Sequence, residues 1–189
     1  MYDLEPYYAW RHLYIASEDE RSPFSGRENS EFEFTNAIYD HLIHPQWDEF
    51  GSATLYLKIL YVNYNLGFSI IELIGEWNDA LYNDIMFLKR NVAEQLMEYR
   101  VNKFIFIGEN VLNFHSGDND YYQEWFDELE DGWIVGLNFR NHVIRDFKTA
   151  NLDYYIAFGG KFDNFNWRCY DPNQLFIAVN AQIMKRLNP

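Results

Sequence analysis

From Thr54 onward, hydrophobic and polar positions follow two alternating rhythms. Thr54–Asn65 and Phe68–Trp77 are β-rich runs: Leu55, Leu57 and Ile59 fall at every second position, with Tyr56, Leu60 and Tyr61 between them. Asn65-Leu66-Gly67 supplies turn chemistry, so the two runs are expected to form an antiparallel hairpin. The next run has helical spacing. Ile85, Leu88, Val92, Leu96 and Tyr99 recur every three or four residues behind a cap near Asn83 or Asp84. Lys89 and Arg90 fall outside that stripe and are expected on the exposed face. Lys103–Ile107 is a short apolar run, as in a central strand buried on both faces.

The alternation continues to the C-terminus. A helix is predicted over Asp118–Asp131, with Tyr121, Trp125 and Leu129 at spacing four and Gly132 as terminator. Trp133–Asn138 is predicted as a strand, Asn141–Leu152 as a helix, and Tyr154–Phe158 as a fifth strand. Asp171-Pro172 opens a last helix through Leu175, Ile177, Val179 and Ile183. The order β-β-α-β-α-β-α-β-α predicts an α/β fold: a mostly parallel mixed sheet opened by a β-hairpin. Residues 1–50 read differently, as an aromatic-rich N-terminal extension ahead of an α/β domain over 51–189. Tyr7, Tyr8, Trp10, Leu13, Tyr14 and Ile15 cluster, Ser17–Glu31 reads as a long solvated loop, and Thr35–Ile43 is predicted as a short helix ended by Pro45.

Composition narrows the function classes. The chain has 189 residues, 48% hydrophobic and 20% aromatic, which suits one packed core. With 29 acidic and 15 basic residues its net charge is −14, so phosphate backbones and anionic membrane surfaces would repel it. The expectation is no nucleic acid and no membrane. A single cysteine, Cys169, and an N-terminus without the apolar run of a signal peptide lead to an expected cytoplasmic location.

Three stretches carry a resemblance. Ile70–Asp79 (Ile-Ile-Glu-Leu-Ile-Gly-Glu-Trp-Asn-Asp) looks like a strand ending in a Gly-Glu-Leu-Asp type turn. Lys103–Gly117 looks like a central strand followed by a functional loop, and Gly132–Leu152 like the later strand and helix. In this order they resemble the STAS domain family, the anti-sigma-factor antagonist fold with its SpoIIAA-like relatives, over residues 54–187. The resemblance implies a regulatory, non-enzymatic protein-interaction module. It also implies a phosphoacceptor at Ser116, within Asn113-Phe114-His115-Ser116-Gly117-Asp118. The chain departs from the family pattern in having His115 before the serine and Gly117-Asp118-Asn119-Asp120 after it.

Each candidate residue also has a plain structural reading. Ser116 precedes a predicted helix, where backbone N–H groups favour a phosphate but where serine is also an ordinary helix-entry residue. Asp118 and Asp120 would repel a phosphate. Glu109 and Asn110 follow the predicted central strand, the position of ligand sites in open sheets and of simple strand-exit turns alike. Trp77, at a strand end, is a candidate partner contact, and core filling is the alternative. His41, His44, Asp48 and Glu49 are metal-ligand types, but Pro45 interrupts their helical geometry, and no metal or cofactor is expected.

The leading expectation is a protein partner bound through the loops near Trp77–Asn83 and Glu109–Asp120. Its contacts are drawn from Glu76, Trp77, Asp79, Glu109, Asn110, His115 and Asp118. The alternative is a small-ligand-binding protein or enzyme with a pocket at the strand C-terminal ends, using Glu76, Asp79, Glu109 and His115 as acid–base groups. A third is homo-oligomerisation through residues 1–50.

Overall fold

The computed structural model describes residues 2–187. Three short strands come first: β1 (Tyr2–Leu4), β2 (Asn36–Ile38) and β3 (His41–Ile43). β3 pairs parallel with β1 and antiparallel with β2. This hairpin stands where the sequence predicts a helix over Thr35–Ile43. So short a helix has little stability of its own, and tertiary partners decide. Tyr39 takes a left-handed φ of 53° at the turn. Ile38 and Ile43 are buried with Trp47, Tyr56 and Ile74, and Trp47 Nε1 donates to the Leu4 carbonyl at 2.7 Å.

The main sheet has the order β4 (Leu55–Asn63), β5 (Phe68–Asn78), β6 (Lys103–His115), β7 (Trp133–Leu137) and β8 (Ile156–Ala157). β4 and β5 are antiparallel and the remaining pairs are parallel, giving the expected mixed, mostly parallel sheet. The β4–β5 turn is fixed by Asn63 Oδ1, which accepts from the backbone of Asn65 at 3.1 Å and Leu66 at 3.0 Å. Gly67 closes it at φ +69°, where a Cβ would lie 2.7 Å from the Arg100 carbonyl. Only glycine fits both demands.

Between the strands lie α1 (Asp79–Tyr82), α2 (Asp84–Leu88), a π-helical turn over Lys89–Ala93, α3 (Glu94–Met97), α4 (Asp120–Glu128), α5 (Asn141–Thr149) and, last, α6 (Pro172–Leu187). Strand alternation sorts the core into two layers. Leu57, Ile71, Leu73, Phe104, Phe106 and Ile134 pack with Ile85, Leu88, Val92, Trp125, Val143 and Phe147 of α2 through α5. Phe68, Ile70, Ile105, Ile107, Val135 and Leu137 face the other way, against Leu175, Phe176, Val179 and Ile183 of α6. The N-terminal segment joins both layers, with Trp10 in the second and Ala16, Phe24 and Phe50 in the first.

Four local expectations are corrected. Lys89 is fully buried rather than on an exposed face, and its ammonium meets Glu94 at 2.7 Å, Glu124 at 3.0 Å and Glu128 at 3.0 Å. The π turn that begins there breaks the simple helical register. Tyr99 lies beyond α3 and is exposed, with its ring against Tyr64. β8 shrinks to two residues, because Leu152–Tyr154 forms a 3₁₀ turn. β6 runs 13 residues instead of ending at Ile107. Its extra length was hidden because two register shifts against β5, between Glu72 and Ile74 and between Gly75 and Glu76, break its period-two pattern. Among the described residues no helix is long and apolar enough to cross a membrane.

Candidate functional site

β6 pairs with β7 only as far as Ile107↔Leu137, whereas its ladder with β5 continues to Asn78↔His115. The ends of β5 and β6 therefore project past the rest of the parallel sheet. α5 supports them: Phe114 stacks on Phe147 with centroids 3.7 Å apart, and the Leu112 carbonyl lies 2.7 Å from His142 Nε2. This projection carries most of the residues singled out in the sequence, but it divides them into separate networks.

One network is at the surface. Glu76 Oε1 lies 3.4 Å from His115 Nε2 and accepts from Asn78 Nδ2 at 2.9 Å. Its Oε2 accepts from the Tyr39 hydroxyl, which in turn accepts from Asn113 Nδ2 at 3.2 Å. The His115 side chain is half exposed. Glu76 thus joins the small sheet to the end of the large one.

A second network is buried beneath α1. The Asp79 carboxylate accepts from Tyr122 Oη at 2.5 Å, Trp77 Nε1 at 3.0 Å and Ile85 N at 2.8 Å. Burial raises its pKa to about 6, against the pull of these hydrogen bonds, and Asp84 nearby adds to the rise. Burial likewise drives the Tyr122 hydroxyl far up, so it stays a donor. Trp77 is fully buried among Phe106, Phe114, Tyr122 and Phe147, so it fills core and holds Asp79 rather than offering a surface.

A third network lies on the α6 face. Glu109 sits inside β6, not after it, and so does Asn110. Arg168 grips Glu109 with two nitrogens, at 3.0 Å and 2.8 Å, while Trp167 Nε1 and Asn138 Nδ2 donate to it at 2.8 Å and 2.9 Å. Burial alone would raise this carboxylate, but the bonds from Arg168, Asn138 and Trp167 outweigh it and hold the pKa below the usual range. Nearby Glu72 is pushed up to about 7 by burial, and its carboxylate accepts from Tyr7 N at 2.8 Å. Glu76, Asp79, Glu109 and His115 therefore do not form one acid–base constellation: only Glu76 and His115 touch.

Ser116, Gly117 and Asp118 form an exposed loop between β6 and α4. The loop lies directly on α1, since a Cβ on Gly117 would fall 2.7 Å from the Asp79 carbonyl. α1 itself is firmly held: the Asn78 side chain caps it by accepting from Leu81 N at 3.0 Å. It presents Leu81 at 77% exposure and Tyr82 at 42%.

Sequence reasoning did not find Tyr122, Asn138, Arg168 or Tyr39 as partners, because each meets its carboxylate from a distant segment. Nor did it weigh Leu81 and Tyr82. An apolar pair between two capping asparagines was the available signal.

No family model matches the chain, and no curated protein sequence matches it. Among solved structures, the anti-sigma factor antagonist SpoIIAA in its unphosphorylated form is similar with a TM-score of 0.41 and 14% identity, over 56% of this chain and 89% of that one. A likeness of that degree identifies neither a family nor an activity.

Proposed function

We propose that the chain is a non-enzymatic, regulatory protein-interaction module of STAS-like type, acting in the cytoplasm. Its docking surface is the edge formed by α1 and the Ser116–Asn119 loop. The observation that carries this reading is Leu81, an apolar side chain 77% exposed on a helix capped by Asn78. Asp79 anchors the same helix from below through Tyr122 and Trp77. Apolar groups held outward on a rigid support lose little entropy on docking.

Ser116 adjoins this anchor. A phosphate there would bring up to about two negative charges to a loop that already holds Asp118, and would alter partner affinity. The net charge of −14 favours a basic patch on the partner and an affinity that falls with salt.

The test is quantitative co-purification of the tagged full chain from its native cells. The wild type is expected to retain a reproducible protein partner, Leu81→Ser/Tyr82→Ser to lose it at an unchanged thermal midpoint, and Ser116→Asp to change its yield. Equal recovery by all three proteins at equal stability would contradict the reading.

A further inference from the structure

The long loop over Ser17–Glu31 is well fastened. Asp19 accepts from the hydroxyls of Tyr14 at 3.0 Å and Tyr64 at 2.5 Å, and Arg21 lies 3.6 Å over the Tyr64 ring. Ser22 and Phe24 are buried, and Gly26 N donates to the Ser17 carbonyl at 2.8 Å. Farther along, Arg27 donates to the Glu49 carbonyl at 2.6 Å and Asn29 to Asp48 at 2.8 Å. A loop of this length held by so many contacts is built to present something.

Its Arg27, Glu28, Asn29 and Glu31 line a cavity of about 560 Å³. The rest of the lining comes from the Glu5–Ser17 segment, from Lys58–Leu60 of β4, and from His44 and Gln46. The volume lies within the range of small-molecule sites. Several of the charges around it are already matched. Lys58 pairs with Asp48 at 3.0 Å, Arg27 lies 4.0 Å from the same carboxylate, and Glu5 lies 3.3 Å from His44 Nε2. Gln46 N donates to His44 Nδ1 at 3.1 Å, which leaves the proton on Nε2 to face Glu5.

Three charged side chains in the lining are left over. The side chains of Arg11, from the first segment, and of Glu28 and Glu31, from the loop, make no hydrogen bond or ion pair among the described residues. Tyr7, Tyr8 and Phe32 share the lining, the last two largely exposed at 69% and 84%. Carboxylates beside aromatic faces suit an ammonium group, and a guanidinium suits a carboxylate. The geometry points to a binding groove for a small zwitterion with an apolar body, a free amino acid or the unblocked ends of a short peptide. Its ammonium group would lie toward Glu28 and Glu31 and its carboxylate toward Arg11. This site is separate from the α1 edge and does not depend on it.

Calorimetric titration of the full chain tests this, with trileucine, its N-acetyl form, its C-terminal amide and free leucine as probes. Trileucine is expected to bind, and each blocked form to bind roughly five-fold more weakly, the loss appropriate to an exposed charge pair. Glu28→Gln/Glu31→Gln should abolish the penalty for acetylation but keep that for amidation. Arg11→Gln should do the reverse. All three positions are exposed, so an unchanged thermal midpoint checks the fold. Binding of free leucine at least as tight as that of trileucine would assign the groove to amino acids, and tighter trileucine binding to peptides. No heat with any probe at millimolar concentration would overturn the proposal, as would equal affinity for blocked and unblocked forms.

Discussion

Two carboxylates, Asp79 just past the end of β5 and Glu109 inside the neighbouring β6, are treated in opposite ways. Asp79 and Glu109 each accept three or more hydrogen bonds, yet Asp79 is raised to about 6 while Glu109 is lowered. The difference is a guanidinium on one side, and deeper burial beside Asp84 on the other. Glu109 has Arg168, whereas the donors to Asp79 are a phenol, an indole and a backbone amide, all neutral. Neutral donors satisfy the oxygens without compensating the cost of burying a charge. The Glu109 side is therefore a charge-balanced tie between β6 and the Trp167–Cys169 turn. The Asp79 side is a pH-sensitive pedestal beneath the exposed Leu81.

The largest break in this comparison is expected from Asp79→Ala. It leaves the Tyr122 hydroxyl, Trp77 Nε1 and Ile85 N without their acceptor, at a cost of about 3 kcal/mol, measurable by urea denaturation at neutral pH. Acidity comes next. The pKa of Asp79 is raised in the fold from 3.8 to about 6, so the folded chain holds the proton more tightly than the unfolded one. This contribution is fully present below pH 3.8 and is lost as pH rises through about 6, a change on the order of 2–3 kcal/mol. Glu72 acts with the same sign, up to about pH 7. The stability difference between wild type and Asp79→Asn, followed against pH, isolates the aspartate.

A smaller effect is expected from Arg168→Gln, which would make Glu109 resemble Asp79. Its pKa should rise on loss of the guanidinium, visible by carboxyl NMR. Since Arg168 is half exposed, solvent screening holds the stability cost to about 1 kcal/mol. The smallest effect is expected from Leu81→Ser, within about 0.5 kcal/mol by thermal unfolding, because an exposed leucine contributes little to the core.

The same contrast explains what the sequence revealed. The rhythms of Leu55–Ile59 and Ile85–Leu96 depend on each segment alone, so the hairpin, the helical stripe and the mostly parallel sheet were legible. The strand ends were not, because the two bulges of β6 reverse the alternation that marks a strand. Lys89 was misplaced because its burial depends on Glu124 and Glu128, a full strand and loop away. Chemistry and approximate position alone group Glu76, Asp79, Glu109 and His115 together. Their division into three networks is set by Tyr39, Tyr122 and Arg168, and no local pattern links those residues to them. The three-residue strands β1, β2 and β3 are too short to carry a periodic signal.

Hydrogen exchange of the chain with its co-purified partner bound tests most directly which of these two sides docks. The account predicts added protection over residues 79–83 and 113–119, with exchange around residues 165–170 unchanged. Protection confined to 165–170, or absent from both strand-end segments, would contradict it.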